Sequence, residues 1–378
     1  MRFISYGHQS IDDEDIQSVI EVLKSDWLTT GPAVDQFEQN LARYVGARYT
    51  IAVNSGTSAL DIAVQALNLP KGSEIITTPF TFAATSNAIL YNGHVPVFAD
   101  IDPISRNIHP DEIRRRITPK TRAIIYVDYA GHPCAIDEIR EIAQEHDLLL
   151  IEDACHALGA SYKGCKIGTS ANMTIFSFHP VKPITTGEGG AVVTDDPELA
   201  ARLKCLRSHG IDRDVGDMFG EGSQWAYDMM DLGRNYRMTD IQAALGVSQL
   251  EKIDTFIKRR NHLATLYEES IGEIPWLETP LCCENVTHGW HLYTVLLDGI
   301  KRNDLYRYLH QNNVGANVHY IPIYRFTYYR NHFRFDPQAF PMTENTFDRI
   351  ITLPLYPAMA ESELEYVVET LKKAGSVL

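Results

Sequence analysis

Positive charge is in short supply in this sequence. Its 378 residues contain 34 Lys and Arg against 49 Asp and Glu, so the formal net charge is −15. A chain this acidic is a poor general partner for nucleic acid or for an anionic membrane surface. We therefore predict small-molecule substrates, with no nucleic-acid and no membrane partner.

Patterned cysteines and long apolar runs are also lacking. The six Cys residues form no CxxC pair and have no His spacing suited to zinc, so we expect no disulfide framework, no metal site and a cytoplasmic protein with reduced thiols. Residues 75–99 carry no charge, but prolines and polar residues interrupt them, which argues against a membrane span. Acidic residues begin at Asp12, too early for a secretory signal.

Short apolar runs alternate with amphipathic helical patterns through the first half of the chain. The runs are rich in β-branched residues and almost continuously hydrophobic, as expected for strands that are buried on both faces of a mostly parallel sheet. They cover residues 49–54, 73–78, 96–100, 122–128, 148–153, 173–178 and 189–195. The pattern predicts an α/β fold with a large, mostly parallel, seven-stranded sheet.

The pattern changes near residue 239, where Thr239 and Gln242 form a capping-box signature. The sequence predicts one connector helix to about residue 270, then a small α+β C-terminal domain. Its expected elements are a strand (291–297), a helix (302–313), a strand (316–324) and a final helix with Leu364, Val367, Val368 and Leu371 on one face.

We predict two domains, a large α/β domain over residues 1–245 and a small domain over residues 246–378 that includes the connector helix. The segment 1–30 contains a helix that we expect Ser10 to cap, with Ile16 and Leu23 on its apolar face. This helix is expected outside the main sheet, where it can pack on the small domain.

The segment FSFHPVKPITTGEGG (176–190) holds a lysine between two prolines. Proline fixes φ and removes a backbone donor, and it disfavours helical geometry in the residue before it. Lys182 therefore belongs to a stiff loop rather than to a helix.

Other candidate groups lie where predicted strands end, which is where open α/β sheets bind ligands. Asp153 and Ser177 close two strands, and the turn at Ser55, Gly56 and Thr57 opens a helix after another. Pyridoxal phosphate requires these groups: a lysine for its aldehyde, a helix N-terminus for its phosphate and a carboxylate for its ring nitrogen. An aromatic ring such as Phe82, or the imidazole of His156, is suited to stack on the ring.

Each residue alone also has a simpler explanation. A loop lysine is usually solvated, Asp153 and the 55–57 turn can be ordinary caps, and His156 and Phe82 can be core residues. Only their conjunction favours a cofactor site.

Six segments carry a resemblance to the DegT/DnrJ/EryC1/StrS family of sugar-nucleotide aminotransferases. They are NSGTSAL (54–60), PFTFAATSNAI (79–89), IEDACHALGA (151–160), FSFHPVKPITTGEGGAVVTDD (176–196), LRSHGI (206–211) and GRNYRMTDIQAALG (233–246). The resemblance implies a fold-type I pyridoxal phosphate enzyme that works as a homodimer with shared active sites.

The resemblance also implies roles for individual residues. Lys182 would bind the cofactor aldehyde as a Schiff base, Asp153 would pair with the ring nitrogen, and Phe82 and His156 would lie against the ring. The remaining cofactor contacts would be Gly56, Thr57 and Ser177 at the phosphate, and Asn235 reaching the phosphate of the opposite subunit. Candidates for substrate contact are Tyr6, Thr29, His179, Arg207, His319 and Tyr320.

The resemblance further implies L-glutamate as amino donor and a UDP-linked 4-keto-6-deoxy-N-acetylhexosamine as acceptor. Transaminases of the GDP-perosamine and UDP-4-amino-arabinose type share much of the lysine segment and remain alternatives. A related dehydratase would carry histidine in place of Lys182, and a non-catalytic regulator would be expected to lose Lys182 or Asp153. A nicotinamide oxidoreductase would need GxGxxG after the first strand, where the glycines are not so spaced.

Overall fold

A seven-stranded sheet forms the centre of the molecule in the computed structural model, which describes residues 2–213 and 225–378. The strands of these residues are β1 (Tyr49–Val53), β2 (Glu74–Thr77), β3 (Val95–Phe98), β4 (Thr121–Val127), β5 (Leu149–Asp153), β6 (Ser161–Tyr162), β7 (Cys165–Lys166), β8 (Met173–Ser177), β9 (Gly190–Thr194), β10 (Ile211–Asp212), β11 (Asp228–Met229), β12 (Leu277–Glu278), β13 (Val286–Thr287), β14 (Tyr293–Leu297) and β15 (Ile350–Leu353).

The central sheet has the strand order β1-β9-β8-β5-β4-β2-β3. Neighbouring strands are parallel except at β9, which runs antiparallel to both β1 and β8. All seven predicted runs are strands of this sheet, so the predicted mostly parallel α/β fold is confirmed. Their near-continuous hydrophobicity follows from burial on both faces, since β8 and β9 have no exposed residue.

Helices cover both faces of the sheet. In chain order they are α1 (Asp13–Lys24), α2 (Pro32–Val45), α3 (Gly56–Ala66), α4 (Ala83–Tyr91), α5 (Pro110–Arg116), α6 (Ile136–His146), α7 (Pro197–Arg207), α8 (Asp240–Glu251), α9 (Ile253–Ile271), α10 (Arg302–Gln311), α11 (Thr327–His332), α12 (Pro341–Arg349) and α13 (Glu361–Val377). Apolar residues of α2, α6 and α8 form the core on one face. Those of α3, α4 and α7 form the core on the other, so the sheet is the middle layer of three.

The C-terminal part has its own core around a three-stranded antiparallel sheet of order β12-β14-β15. Helices α9, α10 and α13 pack on it. The predicted apolar face of α13 is confirmed, because Leu364, Val367, Val368 and Leu371 are all buried. The predicted domain boundary at residues 245 and 246 falls inside α8, and the division into two domains stays a prediction.

Three local predictions are wrong. The expected strand 316–324 forms only an isolated bridge from Asn317 to Thr352, and its end is a short 3-10 turn. The connector is two helices, since α8 ends at Glu251 and α9 begins at Ile253. Asp12 rather than Ser10 caps α1, because its carboxylate accepts hydrogen bonds from the first helical turn.

The N-terminal segment contacts both parts of the chain. Ile4 forms a bridge with Val314 in the C-terminal part, and α1 lies outside the central sheet against α8. Ser248 of α8 donates to the buried carboxylate of Asp15 on α1 at 2.6 Å. Within residues 2–213 and 225–378, no helix has the length and apolar character needed to span a membrane.

Candidate active site

A cavity of about 560 Å³ opens at the carboxyl ends of β1, β4, β5 and β8. Parallel strands bring residues from distant parts of the sequence to this edge. The predicted site residues that line it are Tyr6, Gly56, Thr57, Phe82, Asp153, His156, Ser177, His179, Lys182, His319 and Tyr320.

Lys182 lies in a tight loop between β8 and β9. Its backbone N–H donates to the carbonyl of His179 at 2.9 Å, and Pro180 and Pro183 restrict φ around it. Its side chain is partly buried in the cavity wall. Burial lowers the pKa of the Lys182 amine, and the charges of Cys155 and Asp153 oppose this shift. A lowered pKa increases the neutral fraction of the amine, which is the form that reacts with an aldehyde.

Asp153 is the last residue of β5, and its carboxylate is held in one orientation. Thr85 donates its hydroxyl to Asp153 Oδ2 at 2.7 Å, and the N–H of Cys155 donates to Oδ1 at 3.3 Å. Because Thr85 gives its proton to Asp153, its oxygen accepts the hydroxyl of Thr81 at 3.0 Å. The carboxylate is thus a preorganised acceptor at the cavity.

The start of α3 forms a small, polar corner of the cavity. Ser55 caps the helix by accepting the N–H of Ser58 at 3.0 Å, and the first N–H groups of a helix have no intrahelical acceptor. A Cβ on Gly56 would lie 2.8 Å from Cβ and 3.0 Å from Oγ of Ser177, so glycine lets the Ser177 hydroxyl approach the helix start. Thr57 adds an exposed hydroxyl, and the corner is suited to a phosphate.

His156 and Tyr320 are joined by a hydrogen bond of 3.1 Å between Nε2 and the phenol oxygen. The N–H of Ala130 donates to His156 Nδ1 at 3.2 Å, so Nδ1 is the acceptor and Nε2 carries the proton. Burial, with a contribution from the charge of Lys182, lowers the pKa of His156 well below its ordinary value, which agrees with a neutral ring. Tyr320 therefore accepts from His156 and keeps its own proton to donate.

The aromatic candidates lie along one wall. Phe82 precedes α4, the residue is 61% exposed, and its ring is 6.1 Å from that of Tyr320. The rings of Tyr6 and His319 are 5.3 Å apart. Burial lowers the pKa of His319 to about 3, with a further contribution from Lys182, and its Nδ1 lies 2.8 Å from the hydroxyl of Thr352.

Three candidates lie outside the cavity. Thr29 is exposed on the segment between α1 and α2, and Asn235 is exposed and forms a bridge with Ser208. Arg207 binds Glu38 at 2.6 Å and the carbonyl of Ala52 at 2.9 Å. Arg207 is therefore occupied by a structural ion pair in this chain.

The groups at the cavity fit pyridoxal phosphate. Among residues 2–213 and 225–378, no group forms a hydrogen bond or ion pair with the Lys182 amine. An available amine, an oriented carboxylate at Asp153 and a helix start at Gly56 match the aldehyde, ring nitrogen and phosphate in turn.

A model of the DegT/DnrJ/EryC1/StrS aminotransferase family matches residues 9–372. The chain belongs to the DegT/DnrJ/EryC1/StrS aminotransferase family. It is 45% identical over 370 residues to uncharacterized protein MJ1066 of Methanocaldococcus jannaschii, covering 97% of this chain and 96% of that protein.

Two solved structures of family-like aminotransferases resemble the whole chain. Helicobacter pylori PseC, an aminotransferase of pseudaminic acid biosynthesis, matches with a TM-score of 0.94 and 33% identity over 100% of both chains. The PLP form of the putative sugar aminotransferase Spr1654 from Streptococcus pneumoniae matches with a TM-score of 0.93 and 30% identity, also over 100% of both chains.

The sequence reasoning gave no role to Thr85, Cys155 or His291, which all line the cavity. Thr85 and Cys155 lie within segments that resemble the DegT/DnrJ/EryC1/StrS family, but the contact from Thr85 to Asp153 joins residues 68 positions apart. His291 precedes β14, in the C-terminal part, and its ring is 4.4 Å from that of His156. No local pattern marks such contacts.

Proposed function

We propose that the protein is a pyridoxal phosphate-dependent transaminase that moves the amino group of L-glutamate to the ketone of a UDP-linked 4-keto-6-deoxy-N-acetylhexosamine. The product is a 4-amino sugar nucleotide, as in a pathway of the pseudaminic acid type. The full-length match to PseC supports this choice among sugar nucleotides, and family membership supports the reaction class.

The observation that carries the proposal is the Lys182 amine. It stands in a cavity that also contains Asp153, and its pKa is lowered chiefly by burial. A surface lysine would have neither property. When bound, pyridoxal phosphate supplies an aldehyde for amines and an electron-accepting ring.

Two parts of the cavity would hold the cofactor. Ser177, Thr57 and the N–H groups that open α3 would bind the phosphate, since the helix dipole favours an anion there. The carboxylate of Asp153 would accept the N–H of the ring nitrogen and stabilise its positive charge. Thr85 keeps that carboxylate in orientation through the 2.7 Å hydrogen bond.

Lys182 would hold the cofactor covalently and would also carry protons. As a neutral amine, its Nζ would take the proton from the α-carbon of glutamate in one half reaction and give a proton to C4 of the sugar in the other. The stiff loop restricts where Nζ can lie between the two half reactions.

The substrates carry more negative charge than the cavity of one chain can balance. In the described part of the chain, Lys182 is the only Lys or Arg that lines the cavity. A carboxylate donor and a diphosphate need further cations or donors. We propose a homodimer in which the partner completes the site, with Asn235 among its contributions. Exposed apolar residues at Ile16, Leu23 and Trp27 suit burial between two subunits.

The test is to incubate the purified protein with pyridoxal phosphate, glutamate and a panel of 4-keto sugar nucleotides, and to follow the ketone-to-amine mass change. The matched control is Lys182→Ala, which should give no amination. We expect the UDP-linked 4-keto-6-deoxy-N-acetylhexosamine to react fastest. Preference for a GDP-linked sugar over every UDP-linked one would contradict the proposed acceptor and leave the reaction class intact.

A further inference from the structure

Two carboxyl groups, neither used by the mechanism above, lie directly behind Asp153. Glu152 precedes it on β5, and Asp128 follows the end of β4, the neighbouring strand. Both side chains are 0% exposed. Successive side chains of a strand point to opposite faces of the sheet. Asp153 faces the cavity, so Glu152 lies on the opposite face.

Each carboxyl has one oxygen with a donor and one without. Asp128 Oδ1 accepts the N–H of Cys134 at 2.9 Å, and Glu152 Oε2 accepts the hydroxyl of Thr174 at 2.8 Å. Asp128 Oδ2 and Glu152 Oε1 are buried and have no donor among the described residues. The strand register pairs Tyr126 with Glu152, so Asp128, two residues after Tyr126, lies beside Glu152 on the same face of the sheet.

Within residues 2–213 and 225–378, neither carboxyl forms an ion pair. The groups that act on the two carboxyls most strongly are Tyr126, Cys134, Asp153, Ser170 and Thr174, none of them basic. Two neighbouring carboxylates, both removed from water, cannot both be ionised at neutral pH without a counter-charge.

We propose that Asp128 and Glu152 share a single proton, with Asp128 Oδ2 donating to Glu152 Oε1, so that one buried negative charge is kept directly behind Asp153. Once it carries the proton, Asp128 Oδ2 is itself a hydrogen-bond donor, and Glu152 Oε1 gains the donor that it otherwise lacks. We place the charge on Glu152 because Thr174 donates its hydroxyl to Glu152 Oε2. Burial, and then the charge of Glu152, raise the pKa of Asp128 well above its ordinary range, in agreement with that assignment.

The backbone around Asp128 is also connected to Asp153 and to the residue that donates to Asp128. The N–H of Asp128 donates to the carbonyl of Asp153 at 3.1 Å, and the thiol of Cys134 donates to the carbonyl of Val127 at 3.2 Å. The retained charge adds to the negative potential at Asp153, which favours a cationic ring nitrogen. That consequence rests on the proposed function, whereas the shared proton does not.

The first test is infrared difference spectroscopy of the full-length protein at neutral pH, wild type against Asp128→Asn. The amide of the variant reproduces the protonated acid, since its oxygen can accept from Cys134 and its NH₂ can donate to Glu152. We expect a carboxylic-acid C=O band in the wild type that shifts in D₂O and is absent from the variant. Should the variant fail to fold, wild-type protein labelled with ¹³C at the Asp side-chain carboxyl must show an isotope-shifted acid band. An ionised pair, with no such band, would overturn the proposal.

The second test compares the pH dependence of unfolding for the wild type and for Asp128→Asn. A folded-state pKa above the unfolded value means that stability is lost as pH rises towards the folded pKa. The unfolding constant of the wild type relative to the variant should therefore rise about tenfold per pH unit above pH ~5. A ratio independent of pH would contradict the shared proton. Asp128→Ala, which leaves Glu152 Oε1 without a donor, should be less stable than Asp128→Asn at every pH.

The third test addresses only the consequence for the cofactor. Asp128→Asn keeps one charge and should bind pyridoxal phosphate as the wild type does, within about twofold. Replacing Glu152 by Gln as well removes the charge and should weaken binding about tenfold, the effect of roughly 1.4 kcal/mol. If the two variants bind pyridoxal phosphate with equal affinity, the retained charge has no electrostatic role at the cofactor, and the results of the first two tests still stand.

Discussion

The hydrogen bond from Thr85 to Asp153 gives the sharpest test of how the site is preorganised. Both residues are buried, with 1% and 4% of their surface exposed, and the oxygens are 2.7 Å apart. Thr85→Val keeps the shape of the side chain and removes the hydroxyl. The carboxylate then loses the side-chain donor to Oδ2 and keeps the weaker contact of 3.3 Å from Cys155.

The magnitude follows from the type of bond. A hydrogen bond to a charged group contributes about 1.5–3 kcal/mol, which corresponds to about 10- to 150-fold in an equilibrium constant. We expect Thr85→Val to weaken binding of pyridoxal phosphate by a factor in this range. The assay is an absorbance titration of cofactor-free protein.

The matched control is Thr85→Ser, which retains the hydroxyl and loses a methyl group. This variant should lose about 1 kcal/mol of stability, as expected for one buried methyl, yet bind the cofactor almost as the wild type does. If Thr85→Val and Thr85→Ser bind the cofactor equally well, the carboxylate does not depend on this bond and the reasoning is refuted.

Three further outcomes are expected. Gly56→Ala should weaken cofactor binding about tenfold in the same titration, because its Cβ would lie 2.8 Å from that of Ser177 and overpacking costs about 1–3 kcal/mol; unchanged affinity would show that the corner can widen. Arg207→Leu should reduce the free energy of unfolding by about 3–5 kcal/mol, since it leaves Glu38 without its ion pair. The KM of this variant should stay near the wild-type value, and a large rise in KM would indicate that Arg207 contacts the substrate. His319→Asn should make the free energy of unfolding less dependent on pH below pH ~6.5. In that range His319 binds a proton in the unfolded wild type, whereas folded His319, with a pKa of about 3, does not. Stability of the wild type should thus fall about 1.4 kcal/mol per pH unit more steeply than that of the variant as pH falls, and an equal slope in the variant would contradict the assignment.

The strands of the central sheet were predictable because burial on both faces leaves a local signal. Every residue of β8 is buried, and its sequence MTIFS is apolar or small throughout. The capping box at Thr239 and Gln242 was equally local, and it is confirmed by the 3.2 Å bond from the N–H of Gln242 to the Thr239 hydroxyl. Such features depend on residues within a few positions of one another.

The predicted strand 316–324 is wrong because the apolar residues of this segment line the cavity and do not belong to a sheet. Val318 and Tyr320 face the cavity, while Ile323 is buried beside Phe98. Pro322 has no N–H to offer a strand partner, and the N–H of Ile323 donates to Pro79. The alternation of apolar residues thus results from contacts with the cavity and the core, and not from strand pairing.

The site was predictable in its residue types and not in its contacts. Lys182 and Asp153 lie at loop and strand positions that chemistry alone singled out. Thr85 contacts Asp153 across 68 residues of sequence, and Tyr320 contacts His156 across 164. Lys252, between α8 and α9, makes another such contact, because its ammonium binds Asp15 on α1 at 3.1 Å. Contacts of this range depend on the whole fold.

Borohydride reduction of the protein loaded with pyridoxal phosphate, followed by peptide mass spectrometry, tests the central claim most directly. We predict a single pyridoxyl modification, carried by Lys182 within the segment FSFHPVKPITTGEGG. Its absence there, or its presence on another lysine, would contradict the assignment of Lys182 as the residue that binds the cofactor.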